Sequence, residues 1–253
     1  MEIIFKWDEK YFEADLSKPL DISIPLENEN APIAFGAPPF KAEPFQAGEF
    51  IGSLEAGAPV NFYNLHINPH GNGTHTESVR HIDPRGLTIN QTLKKFHFIA
   101  QVISIQPTVL DNGDRLISME SLSEKIHPKV EALIIRTLPN DEDKKTRNYT
   151  GTNPCYISPD VIAMLNKTCV THLLIDTPSV DREEDGGRLS AHKTFWGIKD
   201  AISLNKTITE MVYVDNTVQD GLFLLNIQLP SVESDAAPSK PVLFKIVSRE
   251  TFK

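Results

Sequence analysis

The sequence predicts an α/β domain built on a mixed sheet with few helices. Short runs rich in β-branched and aromatic residues recur along the whole chain, as in a protein with many strands. Helix signals are rarer, and the clearest is Ser158-Pro159-Asp160, where a hydroxyl residue, a proline and an acid indicate a helix start. Because no internal repeat or linker interrupts this pattern, we expect one domain over residues 1–253.

Size, charge and cysteine content narrow the class of protein. The 253 residues suffice for one core and carry a formal net charge of -9. Neutralising phosphates requires clustered lysine and arginine, so this charge argues against nucleic acid as a partner. Two cysteines make no disulfide framework. We find neither the apolar core of a signal peptide nor an apolar run that would span a bilayer. We therefore expect a cytoplasmic protein that does not associate with membranes.

The first part of the chain predicts a hairpin followed by an irregular segment. Residues 2–7 and 11–16 are apolar-rich runs separated by charged residues, which is typical of two paired strands. Residues 17–59 contain many prolines and predict an irregular surface segment. Polar and apolar residues then alternate over residues 60–70, which predicts a strand.

The rest of the chain predicts further strands and a few helices. We expect strands at residues 96–105, 130–136, 169–176, 207–214, 222–229 and 242–247. We expect helices at residues 118–126, at residues 161–165 after the Ser158 start signal, and at residues 191–202 with Ser190 as the cap.

The residues best suited to chemistry lie between His70 and His81, a stretch that holds three of the eight histidines. His75 and Glu77 are separated by one residue, so in an extended segment they project to the same side. His81 could return to that side after a further turn. Imidazole and carboxylate groups that converge on one point favour a divalent cation. The residues alone leave two interpretations open, a metal site and a polar loop of surface histidines.

This segment resembles the signature H-x-G-T-H-x-D-x-P-x-H of the Putative cyclase family, which includes bacterial kynurenine formamidase and isatin hydrolase. Gly73-Thr74-His75 matches the G-T-H core, and His81 matches the final histidine. Glu77 stands at the aspartate position, where its additional methylene would shift the cation by about an ångström.

Two positions depart from the signature. Gly71 stands where the family has its first histidine, with His70 one residue earlier, and Val79 replaces the proline. A one-residue bulge would bring His70 to the cation.

The resemblance extends over residues 60–248. Residues 173–181 are similar to the family's strand that ends in D-x-x-S-V-D, and His192 takes the place of a later metal-binding histidine. Residues 207–210 resemble the strand that carries the family's metal-binding glutamate, here Glu210. From the residues alone, we would expect His192 to be a solvated histidine near a helix N-terminus. For Glu210 two interpretations stay open, a metal ligand and an outward-facing residue on an edge strand.

The resemblance implies a swivelling β/β/α domain and a metal-dependent amide hydrolase that uses a metal-activated water. The substrate it implies is an aryl formamide such as N-formylkynurenine, an intermediate of tryptophan catabolism, or a related cyclic amide. It also implies His81 as the catalytic acid and base. The implied ligands of a divalent cation, zinc or manganese, are His70, His75, Glu77, His192 and Glu210.

Other properties are expected from the same resemblance. Family members form dimers or tetramers in which partner residues close the pocket, so we expect a homodimer or homotetramer that acts on a small molecule. Two other functions stay open, a metal-dependent cyclase or dehydratase and a non-catalytic ligand-binding relative that has lost a metal ligand.

Overall fold

The fold is organised around a large mixed β-sheet. The computed structural model describes residues 1–122 and 126–249. Its strands are β1 (Glu2–Trp7), β2 (Lys10–Asp15), β3 (Leu20–Asp21), β4 (Lys41–Pro44), β5 (Gln46–Ala47), β6 (Phe50–Ile51), β7 (Tyr63–His66), β8 (His75–Ser78), β9 (His97–Ile105), β10 (Thr108–Val109), β11 (Arg115–Ile117), β12 (Ala132–Thr137), β13 (Tyr156–Ile157), β14 (His172–Ile175), β15 (Thr207–Glu210), β16 (Gly221–Gln228), β17 (Ala236–Pro238) and β18 (Lys240–Arg249). The α-helices are α1 (Ile89–Thr92), α2 (Met119–Leu122), α3 (Pro159–Leu165) and α4 (Ser190–Phe195). The prediction of a mixed α/β architecture with few helices is confirmed.

Eleven of the described strands form one sheet in the order β1-β2-β18-β16-β9-β12-β14-β15-β8-β17, with β3 paired to β18. Within it, β9, β12, β14 and β15 are parallel neighbours, whereas β8 runs antiparallel to β15. The C-terminal ends of parallel strands lie along one edge, which is where ligands commonly bind in α/β sheets. The first residue of β8 lies at this edge as well.

Both faces of the central strands are buried. Leu133 and Ile135 of β12 pack into a cluster that includes residues of α3 and α4, and Ala132 and Ile134 pack into a second cluster on the other face. This division follows from the two-residue period of a strand. Strands buried on both faces are continuously apolar, which explains why β12 and β14 were predicted from their composition.

Most of the predicted elements are confirmed. β1 and β2 pair as the predicted antiparallel hairpin. β9, β12, β14, β16 and β18 lie within a few residues of the predicted ranges. α3 has Pro159 in its first turn, as the Ser158-Pro159-Asp160 signal predicts. Residues 17–59 contain only short strands between irregular stretches.

The predicted strand over residues 60–70 is wrong in its extent and its place. β7 covers only Tyr63–His66, is exposed along its whole length and pairs with β4 outside the large sheet. The alternation of polar and apolar residues in this segment therefore does not correspond to one buried and one exposed face of the strand. The chain then turns at residues 68–71, where the Gly71 N–H donates to the Asn68 carbonyl, so His70 belongs to a turn.

Two further predictions are wrong at their ends. The helix predicted at residues 191–202 ends at Phe195, and Ser190 is its first residue while Leu189 occupies the cap position. The strand predicted at residues 207–214 ends at Glu210, because Met211 has a left-handed backbone with φ 53° that cannot continue a strand.

Of the helix predicted at residues 118–126, α2 covers only Met119–Leu122; Ser118 and Ile126 are not helical, and residues 123–125 lie outside the described part of the chain. Among the described residues, none of the helices has the length and apolar character needed to cross a membrane.

Candidate metal centre

The end of β15 and the start of β8 bring two of the predicted ligands together. Glu210 is the last residue of β15 and pairs directly with His75, the first residue of β8. The side chains of both residues are buried. β15 lies between β14 and β8. The alternative in which Glu210 faces outward on an edge strand is therefore wrong.

His75 directs one ring nitrogen, Nε2, toward the carboxylate of Glu210. Its Nδ1 lies 2.9 Å from the Gly73 carbonyl oxygen, which can only accept, so Nδ1 carries the proton of the neutral ring. Its Nε2 is buried, lacks a hydrogen-bond partner among the residues described, and lies 3.4 Å from Glu210 Oε2. This nitrogen has the free lone pair that a metal ligand needs.

Glu77 stands in the middle of the group and is fully buried. Its Oε1 lies 3.1 Å from His192 Nε2. Its Oε2 is 3.3 Å from His70 Nδ1 and 3.8 Å from His81 Nε2, and it too lacks a hydrogen-bond partner in the described chain. A buried carboxylate surrounded by imidazoles is a suitable ligand for a cation.

His192 is held by Asp181, a residue at the end of the segment that resembles D-x-x-S-V-D. The Asp181 carboxylate accepts the backbone N–H groups of Ala191 and His192, at 2.7 and 3.0 Å, and lies 2.6 Å from His192 Nδ1. His192 Nε2 then faces Glu77, and it lies 3.8 Å from Glu210 Oε1. The Asp181 carboxylate thus caps the start of α4, the role that was predicted for Ser190. The interpretation of His192 as a solvated histidine is wrong, because the residue is buried.

His70 reaches the group although it stands one residue before the family's position. A Cβ atom on Gly71 would lie 2.3 Å from the Ala37 Cβ, so no side chain fits at the family's position in this chain. The turn instead directs His70 toward Glu77, and its ring stacks on that of His81 with centroids 4.1 Å apart.

Asp235, like Asp181, was not among the predicted site residues. Asp235 Oδ2 lies 2.9 Å from His70 Nε2 and 3.2 Å from His81 Nδ1. It immediately precedes β17, a short strand without a pattern of its own, and only the pairing of β17 with β8 brings it here. Asp176, by contrast, is buried against Lys144 and does not join the group.

The electrostatics of the group favour bound positive charge. Burial works against a charged His192, but Asp181, Glu77 and Glu210 outweigh it and raise its pKa to about 10. Burial likewise opposes a charged His70, and Asp235 and Glu77 raise its pKa to about 10. The pKa of Glu77 lies well below its usual value. Burial alone would raise this pKa, but the effect of His81, His192 and His70, which lower it, is larger. The carboxylates that stabilise protonated His192 and His70 would also stabilise a bound divalent cation.

All six predicted site residues therefore meet at one place. Donor atoms of His70, His75 and Glu77 lie close enough together to hold one metal ion, as do those of Glu77, His81 and His192. Nitrogen and oxygen donors of this kind, together with two buried acceptors that lack partners, fit a divalent cation.

A pocket of about 540 Å³ opens onto the group, a size typical of small-molecule sites. His70, His81, His192 and Glu210 line it. Phe35, Pro178 and Leu189 also line the pocket, together with the charged segment 182–185. Phe35 and Leu189 both have left-handed backbones, a costly conformation for residues other than glycine that is often found at functional sites.

Comparison with known proteins identifies the family. The family described as Putative cyclase matches residues 15–182, well over half of the chain. The chain belongs to the Putative cyclase family.

Its curated and structural relatives agree with this cyclase-family membership. The chain is 25% identical over 217 residues to a kynurenine formamidase from Paracidovorax citrulli, which covers 85% of this chain and 94% of that protein. A solved structure described as a potential metal-dependent hydrolase with cyclase activity superposes with a TM-score of 0.66 at 16% identity, covering 92% of this chain and 99% of that one. Isatin hydrolase A from Labrenzia aggregata has a TM-score of 0.65 at 14% identity, covering 90% and 93%. The structural likenesses show a shared fold, and the named activities are hydrolytic, which supports a hydrolase at the level of the family.

Proposed function

We propose that this cyclase-family protein is a metal-dependent amide hydrolase that uses a metal-activated water. The observation that carries the proposal is the pair of buried atoms His75 Nε2 and Glu77 Oε2, which have no hydrogen-bond partner among the described residues. An unpaired buried polar atom costs about 1–3 kcal/mol. A cation between these two atoms would partner both and would also satisfy the neighbouring imidazole and carboxylate groups.

The proposed ligands combine nitrogen and oxygen donors, which suits zinc or manganese. When bound, a divalent cation lowers the pKa of water from about 15.7 toward 7 and polarises a carbonyl oxygen. The residues proposed to hold it are His70, His75, Glu77, His192 and Glu210.

His81 is the proposed proton carrier. Its side chain is 30% exposed and lines the pocket, so a substrate can reach it, and its Nε2 lies 3.8 Å from Glu77 Oε2. An imidazole in this position can accept a proton from the attacking water and deliver it to the leaving nitrogen.

An aryl formamide such as N-formylkynurenine is the proposed substrate. Among the residues that line the pocket, Phe35, Pro178 and Leu189 would pack against an aromatic ring, while the histidines of the candidate metal centre would receive the amide. The curated relative is a kynurenine formamidase, and isatin hydrolases share the fold. A cyclic amide such as isatin is therefore the second substrate to test.

The test combines metal analysis with an assay of amide cleavage. Purified protein is loaded with zinc or manganese, freed of excess metal, and assayed for hydrolysis of N-formylkynurenine and isatin. We expect about one or two equivalents of metal per chain and turnover that a chelator abolishes. His75→Ala should lose the metal, whereas His66→Ala, which alters a histidine in the exposed strand β7, should retain both metal and turnover.

Other outcomes would contradict the proposal. Metal below roughly a tenth of an equivalent in the wild type would favour a non-catalytic relative. Bound metal without amide cleavage, together with turnover of hydroxy acids, would favour a cyclase or dehydratase. Full metal retention in His75→Ala would exclude the ligand set as drawn.

We further propose that copies of this chain associate as a dimer or tetramer. Apolar side chains of the segment that holds β7 are exposed, among them Phe62 and Leu65. Exposed apolar groups that lie together often mark a protein interface. Light scattering should give two or four times the 28.3 kDa chain mass, and a monomer would exclude this association. The cytoplasmic location and the single domain stay predictions from the sequence.

A further inference from the structure

One carboxylate, that of Asp235, contacts both His70, which is shifted by one residue from the signature, and His81, which matches its final histidine. Asp235 Oδ2 lies 2.9 Å from His70 Nε2 and 3.2 Å from His81 Nδ1. The two rings stack with their planes 30° apart, so they share this acceptor from adjacent positions. The side chain of Asp235 is 33% exposed and lies at the rim of the centre.

The contact decides which ring nitrogen carries the proton. A neutral imidazole has one N–H donor and one acceptor nitrogen, and an ionised carboxylate can only accept. A neutral His70 that contacts Asp235 therefore carries its proton on Nε2, and a neutral His81 carries its proton on Nδ1. The lone pairs are then on His70 Nδ1 and His81 Nε2.

Both lone pairs face the centre. His70 Nδ1 lies 3.3 Å and His81 Nε2 lies 3.8 Å from the same atom, Glu77 Oε2. His70 would thus present the nitrogen that binds a cation, and His81 would present the nitrogen that accepts a proton from water. The opposite tautomer of either ring would turn an N–H group toward the centre.

Asp235 is itself firmly held. Its carbonyl oxygen accepts the backbone N–H of Ser78 at 2.9 Å and its Oδ1 accepts the Ser234 hydroxyl at 2.9 Å. The next residue, Ala236, pairs with Glu77 across β17 and β8. The acceptor is therefore fixed to the strand that carries the proposed ligands, as a residue that positions histidines must be.

We propose that Asp235 is a positioning residue that sets the tautomers of His70 and His81 together, the first for binding the cation and the second for accepting a proton. The inference rests on the proposed metal-dependent function. It also gives His70, which is shifted by one residue from the family's position, an orienting partner immediately before β17.

The experiment measures zinc affinity and turnover of N-formylkynurenine in Asp235→Ala. Loss of a carboxylate that orients a metal-binding histidine typically lowers metal affinity or activity by about 10–100-fold, and we expect losses of this size in both zinc affinity and kcat. The control is Asp111→Ala, which alters an exposed turn residue and should change neither quantity. If Asp235→Ala does not fold, Asp235→Asn has the same size and should show losses in the same direction, because an amide is uncharged and presents N–H donors.

A double-variant cycle separates positioning from general damage. At saturating zinc, Asp235→Ala should lower kcat about tenfold in the wild type but less than about threefold in a His81→Ala background, since the residue acts through His81. Equal effects in both backgrounds would overturn the role through His81, and unchanged zinc affinity would overturn the role through His70. A wild type that binds no zinc would overturn the proposed function and this inference with it, whereas an active wild type with a fully active Asp235→Ala overturns only the inference.

Discussion

The metal-free protein should lose stability as the pH rises from 6.5 to 8. His192 is buried, and although burial opposes its charge, the carboxylates of Asp181, Glu77 and Glu210 raise its pKa from 6.5 to about 10. In this pH range the folded protein keeps the proton on His192, while the unfolded chain releases it. The unfolded state then binds fewer protons, so the free energy of unfolding falls with pH.

The size of the effect follows from the two pKa values of His192. A pKa difference is equivalent to about 1.36 kcal/mol per unit, and the interval from pH 6.5 to 8 covers 1.5 units. We therefore expect His192 alone to lower the free energy of unfolding by about 1.5–2 kcal/mol. His70, with a pKa also near 10, acts in the same direction. His172, whose pKa is lowered to about 3 by burial, opposes them by less than about 0.5 kcal/mol.

Denaturant unfolding of chelator-treated protein at pH 6.5 and pH 8 measures this change. His192→Gln removes one titrating group and leaves the others, so its stability should fall less over the same range. Saturating zinc should reverse the trend, because the cation replaces the proton on the ring and binds more tightly as protons leave. Equal pH dependence in wild type and His192→Gln would refute the reasoning.

Three other changes test separate parts of the centre. His81→Ala should retain the metal and lower kcat by about 100-fold or more, since general acid–base catalysis contributes this much, and an unchanged kcat would exclude His81 as the proton carrier. Glu210→Gln should weaken zinc affinity in a competition titration, because it removes a buried negative charge, whereas unaltered affinity would exclude it as a ligand. Gly71→Ala should lower the free energy of unfolding by about 1–3 kcal/mol, because its Cβ would lie 2.3 Å from that of Ala37. The double variant Gly71→Ala/Ala37→Gly should recover this stability. If it does not, the loss of stability does not come from the contact between these two residues.

Local patterns in the sequence were sufficient for much of the fold. The apolar runs of β9, β12 and β14 predict buried strands, because a strand covered on both faces has no polar side. The spacing of His75 and Glu77 predicts that they share a side, because this depends only on the two-residue period of an extended chain. The family resemblance then supplied His192 and Glu210, which no local pattern joins to that pair.

The tertiary structure decided which side chains meet, since this depends on residues far apart in the chain. Ala37 leaves no room for a side chain at position 71, and the turn directs the side chain of His70 toward Glu77 instead. The pairing of β17 with β8 brings Asp235 to two histidines more than 150 residues earlier. The two-residue period of a strand determines which face a residue occupies. The residues that contact that face depend on packing and strand pairing, which leave no signal in the local sequence.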